Sequence, residues 1–412
     1  MKRIAIFTLT GLLLAGFSAQ SQTKPKDGFW RGTFAVANGQ EAPFNFELKG
    51  PTAWLLNGSE RFELKGVTQK GDSLFIPVDI YDALLSAGIE PNQTLSGVFK
   101  RLNTKVVDPG IPFRAEFGKR YRFVEKPAAA AVSLKGKWDV TIGKDNKTVG
   151  VFEQIGNKVT GTFLTTTGDF RYYEGTVQGN EFALSAFSGS SPSLIKGTVN
   201  GNELTAELIN ARNAQPVQGT RNAQAALPDA YTLTKIKEGV PFDFTFPDAF
   251  TGKPVSLKDP KYRGKVVIVT ILGSWCPNCV DETAFLAPWY QANRQRGVEI
   301  IGLAFERKDD PVFAKTRLQT LKNRFGVDYD ILFAGLADKK LASAALPALS
   351  EVLSFPTTIY INRQGEVSKI HTGYTGPATG AYYEEFVKEF NADLDQLLKS
   401  GPAKASIKSV EK

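Results

Sequence analysis

Cysteine is scarce in this sequence of 412 residues, which contains two cysteines, one histidine and one methionine. Both cysteines, Cys276 and Cys279, lie in a single Cys-x-x-Cys segment. One close pair excludes a framework of structural disulfides, and two thiols alone leave a zinc site incomplete, so no metal is expected. The lone histidine, His371, is distant in sequence from the cysteines and is expected to pack or to lie at the surface rather than to act in catalysis.

Long runs of one residue type are also missing. There is no run of five or more Lys or Arg, so the formal charge of +8 predicts no nucleic-acid partner. The apolar stretch Ile4–Phe17 follows Lys2 and Arg3, precedes small residues and is too short to span a membrane easily. This pattern predicts a signal peptide over residues 1–21 and a periplasmic or otherwise exported protein. An uncleaved N-terminal membrane anchor is the alternative.

Two stretches, residues 27–124 and 134–222, resemble each other, and each predicts an all-β unit. Apolar and polar residues alternate between Gly and Asn turns, which is typical of antiparallel meanders that close into barrels or sandwiches. Four matches follow in the same order: Gly28–Trp30 with Gly136–Trp138, Arg61–Gln69 with Phe170–Gln178, Leu95–Phe99 with Ile195–Val199, and Phe113–Phe117 with Leu204–Leu208. We interpret them as a duplication, and the two tryptophans as core residues.

The pattern changes to alternating strands and helices over residues 239–399. A continuous apolar run at 265–272 predicts a central strand that is buried on both faces. Further strands are expected at 298–305, 329–333, 357–362 and 366–371, and helices at 277–296, 311–324, 338–353 and 382–398. The predicted fold class is therefore multidomain, with two duplicated all-β units followed by an α/β domain.

The two cysteines are placed where a buried strand gives way to a helix. A helix N-terminus offers unpaired N–H groups and the positive end of the helix dipole, so Cys276 is expected to have a pKa below the usual value of about 8.5. Thiolate is the attacking species, which makes Cys276 the candidate nucleophile. Cys279 lies one turn later on the same helix face and can resolve a mixed disulfide. Pro277 suits the first helical turn because that position needs no N–H.

These residues carry a resemblance to a known family. Trp275–Cys279 after an apolar strand, with Phe355-Pro356-Thr357 about 80 residues later, resembles the thioredoxin superfamily. Glu282, three residues after Cys279, and the segments 241–244 and 253–257 are similar to those of the TlpA-like exported oxidoreductases. The resemblance covers roughly residues 239–399, under half of the chain.

The resemblance implies roles for four further residues. Pro356 would be in the cis form and face the cysteines, and the backbone of Phe355 would pair with the substrate chain. Trp275 would cover the edge of the site. Glu282 would assist proton transfer for the second thiol; the alternative is that Asp281 and Glu282 only favour the helix start through the dipole.

The sequence departs from the family at three places. Thr270 stands where thioredoxins carry a buried acid, Ala284 stands where the family usually has proline, and Pro277-Asn278 is an uncommon pair between the cysteines. The first departure leaves that position without a titratable group. The last leaves the redox potential open.

The family resemblance implies an enzyme that reduces or exchanges disulfides of exported proteins through a Cys276–Cys279 redox disulfide. It needs no cofactor, and a membrane electron donor would recharge it. One alternative is a recruiting module, in which the β units bind a partner or ligand and the α/β domain is a scaffold. Another is a thiol peroxidase, against which Gly273 argues, because peroxiredoxins carry a threonine three residues before the reactive cysteine. Substrates, oligomeric state and the role of the β units are not fixed by the sequence.

Overall fold

The computed structural model describes residues 23–104 and 107–399. The predicted signal peptide, residues 1–21, lies outside these ranges. Within them the chain forms two nine-stranded antiparallel sheets, a two-stranded hairpin, and a five-stranded mixed sheet with four α-helices. This arrangement confirms the predicted fold class. No helix in the described ranges is both long enough and apolar enough to cross a bilayer.

The first unit is one antiparallel sheet whose two edges must adjoin. Its strands are β1 (Gly28–Ala35), β2 (Glu41–Lys49), β3 (Thr52–Asn57), β4 (Glu60–Lys65), β5 (Thr68–Lys70), β6 (Ser73–Val78), β7 (Ala83–Ile89), β8 (Thr94–Arg101) and β9 (Ile111–Phe117). Strands β4 and β5 lie at opposite edges of the sheet, yet only Gly66 and Val67 separate them in the chain. Because two residues reach only a few ångströms each, the sheet curls until β4 and β5 meet at a seam.

The second unit closes fully. Its strands are β10 (Gly136–Ile142), β11 (Asn146–Ile155), β12 (Lys158–Thr165), β13 (Gly168–Asp169), β14 (Tyr173–Gln178), β15 (Glu181–Ala186), β16 (Ser193–Asn200), β17 (Glu203–Asn210) and β18 (Ala214–Arg221). Strand β11 pairs with β10 on one side and β12 on the other, so eight strands form a continuous hydrogen-bonded ring, and β13 pairs with β12 outside it. Closure removes the free strand edges that an open sheet would present.

The two tryptophans occupy equivalent positions. Trp30 and Trp138 both have 0% of their side-chain surface exposed. The indole N–H of Trp30 donates to the carbonyl of Lys26 at 3.1 Å, and that of Trp138 donates to the carbonyl of Leu134 at 2.8 Å. Each buried donor is satisfied by the residue four positions earlier, which supports a common origin for the units.

The later sequence matches between the units are wrong by one strand. Strand β9 pairs with β1 and β18 pairs with β10, so counting back makes β8 equivalent to β17, not to β16. A Cβ atom on Gly97 of β8 would collide with Ala87 of β7, whereas one on Gly197 of β16 would collide with Ala206 of β17. Both units place a glycine against an alanine on these two neighbouring strands, but the glycine is on the later strand in the first unit and on the earlier strand in the second. The sequence match aligned the two glycines and was therefore shifted by one strand.

An apolar contact joins the two units. Phe187, which follows β15, packs against Phe34, Phe44 and Phe99 of the first unit with ring centroids 4.7, 5.3 and 5.0 Å away. The Asn57 amide donates to the Phe187 carbonyl at 3.0 Å. Buried aromatic pairs of this kind stabilise the contact between the two β units.

The C-terminal domain has the predicted βαβ start and ββα finish. Its elements are β19 (Thr245–Pro247), β20 (Pro254–Ser256), β21 (Val266–Leu272), α1 (Pro277–Asn293), β22 (Val298–Glu306), α2 (Pro311–Phe325), β23 (Asp330–Leu336), α3 (Lys339–Ala345), β24 (Thr357–Ile361), β25 (Val367–Thr372) and α4 (Ala381–Lys399). The order β23-β22-β21-β24-β25 places the parallel strands together and β21 in the centre, buried along its whole length. Helix α3 ends at Ala345 rather than near residue 353, because Pro347 disfavours helical backbone at the residue before it.

Candidate active site

Cys276 is the residue at which β21 gives way to α1. It is the N-cap of the helix, with extended backbone, and its Sγ accepts the N–H of Cys279 at 3.3 Å. Pro277 follows at the first helical position. The Cys276 thiol also donates to the carbonyl of Phe355 at 3.2 Å. The sulfur is therefore held between a helix-terminal N–H and a carbonyl from the loop before β24.

The loop before β24 contains the predicted cis bond. The Phe355–Pro356 peptide is cis, which confirms the expectation drawn from the family. Trp275 lies beside this loop: its indole N–H donates to the Phe305 carbonyl at 2.9 Å, and its ring meets the Phe355 ring edge-on at 5.7 Å between centroids. The structure thus brings Trp275, Phe355 and Pro356 to the same side of Cys276.

The two thiols have different surroundings. Cys276 is 6% exposed, whereas Cys279 is 1% exposed and lies beneath it on the first turn of α1. Burial, together with the neighbouring Cys276, raises the pKa of the Cys279 thiol well above its usual range. Cys276 is therefore the more accessible of the two thiols, and Cys279 is the one whose surroundings keep it protonated.

Glu282 lies one turn beyond Cys279 and points into the domain. It is 3% exposed, and the hydroxyls of Thr270 and Thr358 each donate to its carboxylate at 2.5 Å. Burial raises the pKa of Glu282 to about 7, while these two hydrogen bonds oppose the rise. Thr270, a departure from the family pattern in the sequence, is thus a direct partner of the buried acid. A carboxyl with a pKa near neutrality is suited to proton transfer at physiological pH.

A buried charge cluster that sequence reasoning missed joins both β units to α1. The guanidinium of Arg171 lies 3.1 Å from the carboxylate of Asp281 and 2.6 Å from that of Glu60, and it donates to the hydroxyl of Tyr81 at 3.0 Å. Burial raises the pKa of Asp281 to about 7, although Arg171 acts to lower it. Burial also raises the pKa of Tyr81, and the charge of Arg171 opposes that rise.

Residues 167–169 of the second unit pack on the other side of the dithiol. The Ser354 hydroxyl donates to the Thr167 carbonyl at 3.0 Å. With its amide oriented to satisfy both groups, Asn278 donates to the Asp169 carbonyl at 3.2 Å and accepts the Asp169 N–H at 3.3 Å. Gly168 has a φ of 137°, and a Cβ atom there would lie 2.7 Å from Cγ of Asn278, so glycine suits this position. The second unit therefore covers this flank of Cys276.

The remaining titratable candidate, His371, lies opposite Thr358 in the β24–β25 pair. His371 is 6% exposed, packs edge-on against Tyr231, and burial lowers its pKa to about 4. It is a neutral packing residue. In the described part of the chain, no group of three or more His, Cys, Asp or Glu side chains is arranged to hold a metal ion.

Comparison with known proteins supports what the sheet topology and the dithiol indicate. The family model described as Redoxin matches residues 235–385. The thiol-disulfide oxidoreductase ResA of Bacillus thuringiensis is 30% identical over 138 residues, which are 34% of this chain and 69% of the relative. The chain belongs to the family of ResA-like thiol-disulfide oxidoreductases. It is a thiol-disulfide oxidoreductase with a TlpA-like thioredoxin-superfamily domain at its C-terminal end, as the sequence resemblance predicted.

Other members and solved structures match the same region. ResA of Bacillus subtilis is 29% identical over 122 residues, or 30% of this chain and 60% of that protein. A secreted thiol-disulfide isomerase from Corynebacterium glutamicum is 18% identical, with 42% of this chain and 97% of that one covered and a TM-score of 0.31. A DsbF homologue from Corynebacterium diphtheriae is 18% identical, with 41% and 98% covered and a TM-score of 0.30.

Proposed function

We propose that Cys276 and Cys279 form the redox dithiol of this oxidoreductase and that the protein reduces or exchanges disulfides of exported proteins. The observation that carries the proposal is the setting of the Cys276 sulfur, between the Cys279 N–H at 3.3 Å and the Phe355 carbonyl at 3.2 Å. An N–H at a helix start stabilises a thiolate. The Phe355 backbone, next to cis Pro356, lies where a substrate chain would have to run to reach that sulfur.

The reaction balances with no cofactor. The Cys276 thiolate attacks one sulfur of the substrate disulfide, forms a mixed disulfide and expels the other sulfur as a thiolate, which takes up a proton. Cys279 then gives its proton to Glu282 and attacks the Cys276 sulfur. The second substrate sulfur leaves as a thiolate and takes up the proton that Glu282 releases. The dithiol loses two electrons and two protons, and the substrate gains both. A membrane electron donor returns the oxidised pair to the dithiol state.

Export is part of the proposal. The basic residues Lys2 and Arg3, the apolar stretch at 4–17 and the small residues that follow support a signal peptide over residues 1–21. An oxidising compartment is where disulfide substrates are found. Cell fractionation and N-terminal sequencing of the mature protein test this: recovery from the cytoplasm with residue 1 intact contradicts it.

The test of the dithiol is a pair of serine variants. Cys276→Ser should lower disulfide reduction by at least about a thousandfold, because the attacking atom is gone. Cys279→Ser should instead trap substrates as mixed disulfides, seen as bands that disappear on adding reductant. The double variant is the matched control and should trap nothing. Retained activity in Cys276→Ser, or bands in the double variant, would place the chemistry elsewhere.

A further inference from the structure

Residues 167–169 cover one flank of the dithiol. On the side of Trp275 lies a cleft of about 410 Å³. Its walls come from two domains: Tyr81 and Arg101 from the first β unit, and Trp275, Arg307 and Lys308 from the C-terminal domain. A volume of this size is in the range of binding pockets. Trp275 lines the cleft, directly precedes Cys276 and meets the Phe355 ring at 5.7 Å between centroids, so the cleft adjoins the dithiol site.

The cleft has more positive charge than its own carboxylates neutralise. In the described ranges the side chains of Arg101 and Arg307 have no carboxylate oxygen within 4.0 Å. Arg317, by contrast, donates to the carbonyl of Ile80 at 2.6 Å and lies 3.8 Å from the carboxylate of Asp82. The guanidinium of Arg101 donates to a carbonyl instead, that of Ser190 at 3.3 Å.

The acids near these arginines already have partners. Asp108 accepts the backbone N–H of Arg101 at 2.9 Å and lies 3.4 Å from the guanidinium of Arg212. Glu306 accepts the N–H and the hydroxyl of Ser274 at 2.9 and 2.8 Å, and burial raises its pKa to about 7. Burial, and next the charge of Arg101, lowers the pKa of Arg307 to about 10. Like charges that depress each other are stabilised by an anion placed between them.

We propose that this cleft binds the acidic flank of an extended polypeptide, whose disulfide then exchanges with Cys276, and that Arg101 and Arg307 bind its carboxylates. The inference rests on the proposed dithiol function. An extended segment is required because Cys276 is only 6% exposed and the second β unit covers its other flank. On this view the first β unit selects the substrate.

The experiment compares three disulfides. Two are peptides of equal length in which the residues flanking the cysteine are either glutamates or lysines, and the third is the small neutral bis(2-hydroxyethyl) disulfide. The variants are Arg101→Ala, Arg307→Ala and both together, with Arg307→Lys to test rescue by charge. Arg114→Ala, in the neighbouring strand β9 and outside the cleft, is the matched control.

The acidic peptide should be reduced about tenfold or more faster than the basic one by the wild type, and salt should narrow the difference. Each single arginine variant should raise KM for the acidic peptide about threefold to tenfold with kcat nearly unchanged, and Arg307→Lys should restore part of it. The neutral disulfide should be reduced equally by all of them.

Two failures are distinguishable. If the wild type reduces the neutral disulfide but does not prefer the acidic peptide, or if Arg114→Ala matches the cleft variants, the cleft is not the substrate site and the dithiol function stands. If the neutral disulfide is not reduced, the dithiol function fails. Fluorescence anisotropy of labelled, cysteine-free acidic and basic peptides measures the cleft independently of catalysis, and equal binding of both overturns the inference.

Discussion

The strand that completes the ring of the second β unit is divided into two strands in the first β unit. In the second unit β14 is unbroken and pairs with β12 on one side and β15 on the other, which closes the ring. In the first unit the matching segment is split into β4, which pairs with β3, and β5, which pairs with β6. The split falls at Gly66, whose φ is 78°, and Gly175 is its counterpart in the matched sequence.

Glycine is required at the matched positions Gly66 and Gly175 for two unrelated reasons. A Cβ atom on Gly175 would lie 1.8 Å from the Ala183 carbonyl oxygen, so glycine is needed there for space. The nearest atom to a Cβ on Gly66 is Cγ of Pro77 at 3.9 Å, so glycine is needed there for its positive φ alone. Closure of the ring in the second unit therefore depends on the small size of Gly175. The break between β4 and β5 in the first unit depends on the positive φ of Gly66.

The two glycines give the largest expected difference in stability. Gly175→Ala should cost about 3 kcal/mol, because backbone atoms on the facing strand must move. Gly66→Ala should cost about 1 kcal/mol, the strain of a left-handed alanine. Urea unfolding of both variants measures the difference. Gly66→Asn, which tolerates this conformation better, should recover part of the smaller loss. Equal losses at the two glycines would show that the matched positions are not under different constraints.

Two adjacent buried acids on α1, Asp281 and Glu282, have different kinds of hydrogen-bond and charge partners. Asp281 faces the second β unit, where the buried cation Arg171 lies 3.1 Å away. Glu282 faces its own domain and has only the hydroxyls of Thr270 and Thr358 as partners. Burial raises both pKa values to about 7. One acid is compensated by charge from another domain, and the other by neutral donors from its own sheet.

Removing the cation should expose this difference. Arg171→Ala should cost about 2 kcal/mol at pH 8, below the 3–5 kcal/mol of a broken buried pair, because the freed carboxyls can bind protons. At pH 5 the loss should be smaller, since Asp281, whose pKa is raised to about 7, is then mostly protonated. Denaturant unfolding at both pH values measures it. Arg114→Ala, an exposed arginine, is the control and should change stability by less than about 0.5 kcal/mol at either pH. A loss that is the same at pH 5 and pH 8 would contradict the charge account.

The C-terminal domain could be predicted because its signals are local. The buried strand, the Cys276 helix start and the Phe355-Pro356 loop are each readable within a few residues, and the family resemblance joined them. Helix α3 was predicted too long because the apolar pattern continued past Pro347.

The contribution of the β units to the site could not be read in this way. Tyr81 and Arg171 lie about one hundred residues or more before Cys276 and look like ordinary residues of a meander. One signal was available: in the matched segments Arg171 stands where the first unit has the buried Phe62, and a charge in place of a core aromatic indicates a partner elsewhere.

Glu282 separates the two acids most sharply, because its contribution to stability changes with pH. Its pKa rises from 4.5 to about 7 on folding, so the folded chain holds the proton more tightly than the unfolded one. The stabilisation is full below about pH 4.5 and is lost as pH rises towards 7, with a slope of about 1.4 kcal/mol per pH unit. Glu282→Gln should flatten that slope, as measured by unfolding at a series of pH values. A slope unchanged from the wild type would mean that Glu282 does not carry the proton.

The same variant tests the proton relay, because a glutamine side chain at this position can accept from one threonine hydroxyl and donate to the other but cannot take up a proton. Resolution of the mixed disulfide by Cys279 should slow by about tenfold to a hundredfold, and the inflection near pH 7 in its rate should disappear. Stopped-flow measurement of this step at several pH values decides it. Asp281→Asn is the matched control: it changes the neighbouring acid but leaves Glu282 in place, so it should keep the inflection. If Asp281→Asn removes the inflection and Glu282→Gln does not, the acid compensated by the β units is the one that serves the second thiol.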